Sequence, residues 1–178
     1  MKLIGLTGKA RAGKDTIANH LWLDHLYVKL SFAHPLKTAV GTIFGLTREQ
    51  TWEDELKEVV VPYWGLTPRQ MLQKMGTEAI RNTFGGDVWV KRLALSYDAV
   101  RNTDNVVISD VRFHEEAQYI RSQGGVIVEV VRNTAGLDGV EAGHVSESGI
   151  GSPADFTVEN NSTKEALYGE IDLLVSKL

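Results

Sequence analysis

Short apolar runs of four to six residues alternate along the chain with stretches in which apolar residues recur every three or four positions. The runs predict strands at residues 2–7, 27–32, 105–109, 126–131 and 155–158. Strands that alternate with helices are typical of an α/β fold, in which a parallel sheet carries helices on both faces. We therefore predict that fold class.

Two segments have the clearest helical pattern, residues 112–123 and 163–177. The first is followed by the stop signal Gly124-Gly125, and each has one apolar stripe. The stripes are Phe113, Ala117 and Ile120 in the first and Leu167, Ile171, Leu174 and Leu178 in the second. Such stripes predict buried core faces and not functional sites.

About seventy residues separate the second and third predicted strands, more than a simple crossover needs. Within them we predict helices at 35–44, 47–60 and 68–82. An insertion of this size is typical of a substrate-binding subdomain, which we place at about 34–104.

Residues 133–151 are polar, contain five glycines and have neither a helical nor a strand period. A long loop of this kind is often a lid over an active site, and we predict a lid at about 132–151. A plain surface loop is the alternative reading.

Length and charge narrow the range of functions. A chain of 178 residues predicts a single domain over 1–178, and a net charge of −4 without a basic stretch argues against nucleic acid as a partner. The absence of cysteine excludes disulfides and cysteine chemistry. With neither a leader nor an apolar run of about 18 residues, we expect a cytoplasmic protein without a membrane partner.

A glycine-rich segment follows the first predicted strand and leads into a helical pattern. It reads Gly8-Lys9-Ala10-Arg11-Ala12-Gly13-Lys14, which matches the phosphate-loop pattern G-x-x-x-x-G-K. Glycines let backbone N–H groups approach phosphate oxygens, and the lysine reaches the β and γ phosphates. A glycine-rich turn without a ligand is the alternative, but glycine spacing, lysine, strand and helix all favour a phosphate loop.

The residue after the lysine departs from the usual pattern. Asp15 stands where Ser or Thr normally binds magnesium, and Thr16 comes next. Thr16 can supply the hydroxyl, or Asp15 can act on the metal directly or through water. The sequence leaves both open.

Asp110 ends the third predicted strand. Ligands of open α/β sheets bind beyond the carboxyl ends of the strands, so we expect Asp110 beside the phosphate loop, serving magnesium or the acceptor. Its alternative role is the N-cap of the helix predicted from Arg112.

Transfer between two phosphorylated substrates requires positive charge near the reacting phosphates. The candidates in suitable regions are Arg11, Lys37, Arg69, Arg81, Arg112 and Arg132. Most Lys and Arg side chains are solvated surface charges. Arg11, inside the loop, and Arg132, where the lid begins, are the exceptions we expect.

A polar stripe follows Trp64 in the insertion. Arg69, Gln73, Thr77 and Arg81 recur at intervals of four and share one face of the helix that begins at Thr67-Pro68. This pattern suits a nucleobase stacked on Trp64, with edge hydrogen bonds from Gln73 and charge from the arginines. Periodicity alone favours an exposed polar face.

The histidines give weak signals. His144 is followed by Val145-Ser146-Glu147, and the other four, His20, His25, His34 and His114, lack ligand spacing. We therefore expect no metal other than magnesium.

Several ordered motifs together resemble the bacteriophage deoxynucleoside monophosphate kinases. They are Leu6-Thr7-Gly8 through Gly13-Lys14-Asp15-Thr16, Phe32-Ala33-His34-Pro35-Leu36-Lys37, Arg69 to Glu78, Asp87-Val88-Trp89, Ser109 to Phe113, His144 to Glu147 and Val158-Glu159-Asn160-Asn161. The resemblance runs nearly end to end, and Asp after the loop lysine is part of it.

This resemblance implies a P-loop NTPase fold of three αβα layers with a five-stranded parallel sheet. It also implies transfer of the γ-phosphoryl group of ATP to a deoxynucleoside monophosphate, with Mg²⁺, for nucleotide supply in phage DNA replication in the host cytoplasm.

The resemblance also implies residue roles. ATP phosphates would meet Gly8, Ala10, Arg11, Ala12, Gly13 and Lys14, and the ATP base would lie near Asn160. The metal would be served by Asp15 or Thr16 and by Asp110. The acceptor would contact Lys37, Arg69, Gln73 and Arg81, with Asp110 and Arg112 at the transfer centre and Arg132 in the lid. Trp64 and Thr77 are predicted to contact the acceptor from the pattern of the insertion.

Two other readings remain. Another small-molecule P-loop kinase, such as a dephospho-coenzyme A or phosphomevalonate kinase, would have a similar loop and sheet. A nucleotide-gated switch would instead signal to a protein partner. The sequence leaves open which bases are accepted, whether ribose is excluded and whether a homodimer forms.

Overall fold

A computed structural model of the chain describes residues 1–136, 144 and 148–178. These residues form two compact units, Met1–Ser31 with Val90–Leu178 and, separately, Phe32–Trp89. The first unit holds β1 (Leu3–Thr7), α1 (Lys14–His25), β2 (Val28–Leu30), β3 (Val106–Ile108), α7 (His114–Ser122), β4 (Val126–Val131), β5 (Phe156–Glu159) and α8 (Lys164–Lys177). The second holds α2 (Ala33–Phe44), α3 (Arg48–Trp52), α4 (Pro68–Gln73) and α5 (Asn82–Phe84). Helix α6 (Val88–Asp98) begins in the second unit and continues into the first.

The five strands form one parallel sheet in the order β2-β3-β1-β4-β5. Each lies within two residues of a strand predicted from the sequence, which confirms the α/β fold class. Ile4 and Leu6 of the central strand β1 have no exposed surface, because helices cover the sheet.

Helices α1 and α8 pack on the sheet through their apolar stripes. Ile17 and Leu21 of α1 and Leu167 and Ile171 of α8 are fully or almost fully buried in one core with the strands. Leu167 and Ile171 of the predicted stripe are therefore core, Leu174 is half-buried, and Leu178 at the end of the helix is 39% exposed. This packing fixes α1, and with it the loop that precedes α1, against the sheet.

The second unit differs locally from the predicted helices. The segment 47–60 forms the short α3 and a 3-10 turn at Leu56–Glu58 in place of one helix. Thr47 and Gln50 form a capping box that begins α3, while Glu53 is extended and ends it. Residues 68–84 are continuously helical, but Lys74–Arg81 is a π-helix between α4 and α5.

Within the described ranges, no helix combines the length and the apolar character that crossing a bilayer requires.

Candidate functional site

The loop between β1 and α1 has the backbone of a phosphate-binding loop. Gly8 and Gly13 both have positive φ values, of 128° and 107°. A Cβ on Gly8 would collide with the carbonyl oxygen of Val130 in the neighbouring strand β4, so only glycine fits there. Gly13 is the N-cap of α1, and the N–H groups of the first turn of the helix are therefore directed toward the loop.

Arg11 also lies in the left-handed region, with a φ of 63°. A residue with a Cβ is held there at a cost of about 1–2 kcal/mol. Such strain is concentrated at functional sites. Arg11 is exposed.

Lys14 is the first residue of α1 and is only 9% exposed. Its Nζ donates to the carbonyl oxygens of Gly8 and Lys9, both at 2.7 Å. The ammonium group is therefore held inside the curve of the loop, where a bound phosphate would meet it.

Asn160 supports the loop from the end of β5. Its Nδ2 donates to the carbonyl oxygen of Ala12 at 2.8 Å, and a Cβ on Gly13 would collide with that same nitrogen. The resemblance puts Asn160 near the ATP base, and the structure brings it to the backbone of the loop. That base contact stays a prediction.

Asp110 follows β3 at the carboxyl edge of the sheet. The amide of Val111 donates to the carbonyl oxygen of Leu6 in β1 at 2.9 Å, so Asp110 lies beside the start of the phosphate loop. Ser31, at the end of β2, donates through Oγ to Asp110 Oδ2 at 2.9 Å. The sequence analysis missed Ser31, although its place after a strand was a usable signal.

Asp110 is not the N-cap that the alternative reading required. Helix α7 begins at His114, and the carboxylate of Glu116 accepts from the amides of Arg112 and Phe113, at 2.8 and 3.1 Å. The residue at the N-cap position of α7 is Phe113, three residues after Asp110.

The two candidates for the metal differ in exposure. Asp15 is 78% exposed, and its Oδ1 accepts from Lys29 Nζ at 2.9 Å. Thr16 is half-buried on the next position of α1. Both offer only oxygen, as does Asp110, and oxygen is what Mg²⁺ prefers. The sequence analysis missed Lys29, whose pairing with Asp15 depends on the fold.

A cavity of about 310 Å³ lies next to the start of the phosphate loop. Gly8, Lys9 and Arg112 line it together with residues 148–154. Arg132 follows β4 and is exposed. Half of the lid predicted over 132–151, including the motif after His144, falls on 137–143 and 145–147, which lie outside the described residues.

The second unit holds the predicted acceptor residues, and Arg69 is the most buried of them. It is 8% exposed, and its Nε donates to Glu58 Oε1 at 2.6 Å. Its Nη2 lies 3.8 Å from Asp54 Oδ1 and makes no hydrogen bond among the described residues. Gln73 Nε2 is likewise shielded from solvent without a hydrogen bond in that part of the chain. A buried unmet donor costs about 1–3 kcal/mol, so both atoms are suited to a ligand.

The carboxylate of Asp54 pairs with cationic side chains of the second unit. Its Oδ1 accepts from Lys57 Nζ at 2.9 Å. Burial works to raise the pKa of Asp54, but the hydrogen bond from Lys57 and the charges of Lys57, Arg69 and Lys37 outweigh it and lower that pKa. Lys37 Nζ also lies 4.2 Å from the centre of the Trp52 ring, a cation–π contact that the sequence analysis missed.

Trp64 is 41% exposed, and its indole N–H donates to the carbonyl oxygen of Phe44 at 2.9 Å. The rings of Phe44 and Tyr63 lie edge-on to it. The indole is thus fixed in place while part of its surface stays open.

Thr77 and Arg81 lie in the π-helix, not in the α-helix that the four-residue spacing assumed. A π-helix bonds each amide five residues back and often occurs at functional sites. Its carbonyl at Gly76 accepts from the Trp89 indole at 3.0 Å. The four-residue spacing therefore missed the wider helical turn at Thr77 and Arg81, and their contact with an acceptor stays a prediction.

A family model described as "Deoxynucleotide monophosphate kinase" matches residues 50–171. A protein of Acanthamoeba polyphaga mimivirus, provisionally named a deoxynucleotide monophosphate kinase, is 37% identical over 184 residues, covering 96% of this chain and 94% of its own. The deoxynucleotide monophosphate kinase of Enterobacteria phage T4 is 25% identical over 96% of this chain and 97% of its own. The corresponding enzyme of Escherichia phage T5, named a deoxynucleoside-5'-monophosphate kinase, is 26% identical over 99% and 98%.

Solved structures agree on the fold. TT1252 from Thermus thermophilus superposes with a TM-score of 0.56 over 99% of this chain and 97% of its own, at 19% identity. Shikimate kinase from Aquifex aeolicus has a TM-score of 0.52 over 98% and 96%, also at 19% identity. At such identities the likeness supports the three-layer αβα fold and nothing about activity or substrate.

Proposed function

The chain belongs to the deoxynucleotide monophosphate kinase family, and we propose that it uses ATP with Mg²⁺ to convert deoxynucleoside 5'-monophosphates to diphosphates. Phosphorylation of deoxynucleoside monophosphates is the activity of that family. ATP as the donor, Mg²⁺ as the metal and the roles of individual residues are the proposal. Relatives from phages and a giant virus suit an enzyme that supplies precursors for DNA synthesis.

The phosphate loop is the observation that carries the proposal. Positive φ at Gly8 and Gly13, the start of α1 and the enclosed ammonium of Lys14 together favour a chain of phosphates. Lys14 and the loop N–H groups would bind the β and γ phosphates of the donor. Asn160 would keep the loop in shape through its bond to Ala12.

The residues near the loop fit a magnesium ion. Asp110 with either Thr16 or Asp15 would hold it, since all three present oxygen atoms and no softer ligand. When bound, Mg²⁺ would neutralise charge on the phosphates. Ser31 would orient the carboxylate of Asp110 through the hydrogen bond at 2.9 Å.

In the transfer step, a phosphate oxygen of the acceptor attacks the γ-phosphorus of ATP. The bond from that phosphorus to the β–γ bridging oxygen breaks, and ADP leaves with the electron pair. Lys14, Arg11, Arg112 and Arg132 would offset the charge of the transferred group. Positioned charges of this kind act mainly by electrostatic stabilisation.

The second unit would bind the acceptor. Arg69 Nη2 and Gln73 Nε2 are buried donors without a hydrogen bond in the described structure, and a monophosphate nucleotide offers acceptors to both. Arg81, Lys37 and Thr77 would add charge and polarity, and the open part of Trp64 would stack on the base.

The test is ADP release from ATP with each deoxynucleoside and ribonucleoside monophosphate, with and without Mg²⁺. We expect turnover that depends on a deoxynucleoside monophosphate and is lost in Lys14→Ala. The control Lys164→Ala, at an exposed lysine at the start of α8, should keep it. Turnover with shikimate or dephospho-coenzyme A and not with nucleotides would favour another small-molecule kinase. ATP hydrolysis independent of any acceptor would favour a nucleotide-gated switch.

A further inference from the structure

Two histidines and an aspartate meet where the end of α1 faces α8. His20 Nε2 and His25 Nε2 lie 2.7 and 2.8 Å from the same oxygen, Asp172 Oδ1. The possible metal-ligand atoms of these three residues all lie within 4.8 Å of one another. Among residues 1–136, 144 and 148–178, no other group of three or more His, Cys, Asp or Glu side chains is that close together. We propose that these three residues bind a transition-metal ion of the Zn²⁺ type, at a site separate from the phosphate loop.

A count of protons supports a cation here. His20 also places Nδ1 2.7 Å from Asp24 Oδ2, so both of its ring nitrogens face a carboxylate oxygen. A neutral imidazole carries one N–H, so one nitrogen would then present a lone pair to an oxygen. The arrangement is satisfied by a second proton on His20 or by a metal ion bound at Nε2.

The surroundings of His20 resemble the outer shell of a metal site. A ligating histidine usually donates its other N–H to a carboxylate, which fixes the tautomer and orients the ring. Asp24 is placed to do this at Nδ1 of His20. Tyr168 of α8 stacks on the same ring at 4.0 Å with an interplanar angle of 5°, which further restricts its rotation.

Exposure leaves room for the metal to enter. His20 is 8% exposed and fixed, whereas the side chains of His25 and Asp172 are 31% and 44% exposed. Zn²⁺ binds nitrogen and oxygen at about 2.0–2.2 Å, so two ligand atoms of one ion lie at least about 3 Å apart. The carboxylate of Asp172 would therefore have to move outward by roughly half an ångström, which its exposure allows.

The ligand types and the position both show that this site is not the one that would hold Mg²⁺ during phosphoryl transfer. Mg²⁺ prefers oxygen, while two imidazoles and a carboxylate suit zinc and related ions. His20 is six residues after Lys14 on α1, a rise of about 9 Å along the helix. The ion would join α1, the helix that begins at the phosphate loop, to α8.

The test is titration of the metal-free full chain with Zn²⁺ alone, without nucleotide, by calorimetry, and with Co²⁺ by visible absorption. We expect one equivalent of Zn²⁺ to bind and to raise the thermal midpoint, with millimolar Mg²⁺ failing to compete. His25→Gln and Asp172→Asn should each abolish this site, and Asp24→Asn should weaken it by about 10–100-fold.

The matched control is His114→Gln, which removes an exposed histidine at the start of α7 and should bind Zn²⁺ like the wild type. Circular dichroism without metal establishes that each variant is folded, and a variant that is not is replaced by His25→Asn. The proposal is overturned if the wild type takes up no stoichiometric Zn²⁺, or if both ligand variants retain its affinity. The first result would assign the cluster to a protonated His20 bridging two carboxylates.

Discussion

The side-chain amide of Asn160 donates a hydrogen bond of 2.8 Å to the carbonyl oxygen of Ala12, which ties the end of β5 to the phosphate loop. Ala12 immediately precedes Gly13, the N-cap of α1. The loop is therefore held from its own strand and from the far edge of the sheet.

Asn160→Ala should raise the KM for ATP by up to about tenfold, because one intramolecular hydrogen bond stabilises the observed loop conformation by about 0.5–1.5 kcal/mol. The KM for the monophosphate should change little. Steady-state kinetics with each substrate varied in turn measures both. Asn102→Ala, an exposed asparagine elsewhere in the same unit, is the control, and equal effects of the two variants would contradict a special role for Asn160.

Arg11→Gly should make the protein more stable and less active. Glycine relieves the left-handed backbone at Arg11, with a gain of about 1 kcal/mol, but the guanidinium is lost from the loop. Leu26→Gly is the matched control, since Leu26 has a φ of 57° at the other end of α1. It should gain similar stability with unchanged kcat. Urea unfolding and kcat are measured on both variants, and full activity in Arg11→Gly would remove Arg11 from the transfer step.

Asp110→Asn should lower kcat by about 100-fold or more at limiting Mg²⁺, the effect expected when one charged contact in the transition state is lost. The start of α7 should be intact, because the carboxylate of Glu116 accepts from the amides of Arg112 and Phe113. The measurement is kcat as a function of Mg²⁺ concentration, with Asp104→Asn, at a half-buried aspartate that accepts from Thr103, as the control. Thr16→Val and Asp15→Ala in the same assay distinguish the two other metal candidates. Unchanged Mg²⁺ dependence in Asp110→Asn would rule out its proposed role.

Gln73→Ala should change discrimination among bases by roughly ten- to a hundredfold, because a base contact to a buried amide depends on the base. Arg81→Ala should weaken all monophosphates alike, since a phosphate contact carries no information about the base. The measurement is kcat/KM for each deoxynucleoside monophosphate at saturating ATP, with Lys74→Ala as an exposed neighbouring control. Equal losses for every base in Gln73→Ala would move base recognition to other residues.

Asp54 should make the second unit sensitive to acid. The pKa of its carboxyl is lowered in the folded protein, so it contributes stability above its unfolded pKa of about 3.9 and loses that contribution as the pH falls through the lower folded value. Asp54→Asn should therefore reduce the difference in unfolding free energy between pH 7 and pH 3. Lys57→Gln should reduce it in the wild type but not in Asp54→Asn, because the two share one hydrogen bond. The prediction would be contradicted if the difference in unfolding free energy between pH 7 and pH 3 were the same in both single variants as in the wild type.

Local patterns predicted the parts of the fold that neighbouring residues control. The five strands, the apolar stripe of α8 and the phosphate loop with Gly8, Gly13 and Lys14 all follow from spacing within a few residues. The resemblance supplied the substrate class, and the comparisons agree with it. The start of α7 was wrong by two residues because Glu116 caps the amides ahead of it.

The sequence by itself determined the phosphate loop and the sheet, because glycine geometry and hydrophobic period are properties of consecutive residues. Only the tertiary structure decided which distant side chains meet. Ser31 reaches Asp110, Asn160 reaches Ala12, and His20 and His25 share Asp172 across separations of 79 to 152 residues. Sequence spacing cannot predict contacts between residues so far apart. For this reason the sequence showed no ligand pattern for His20 and His25. The packing of α1 against α8 and the parallel pairing of the strands bring these groups to within hydrogen-bonding distance.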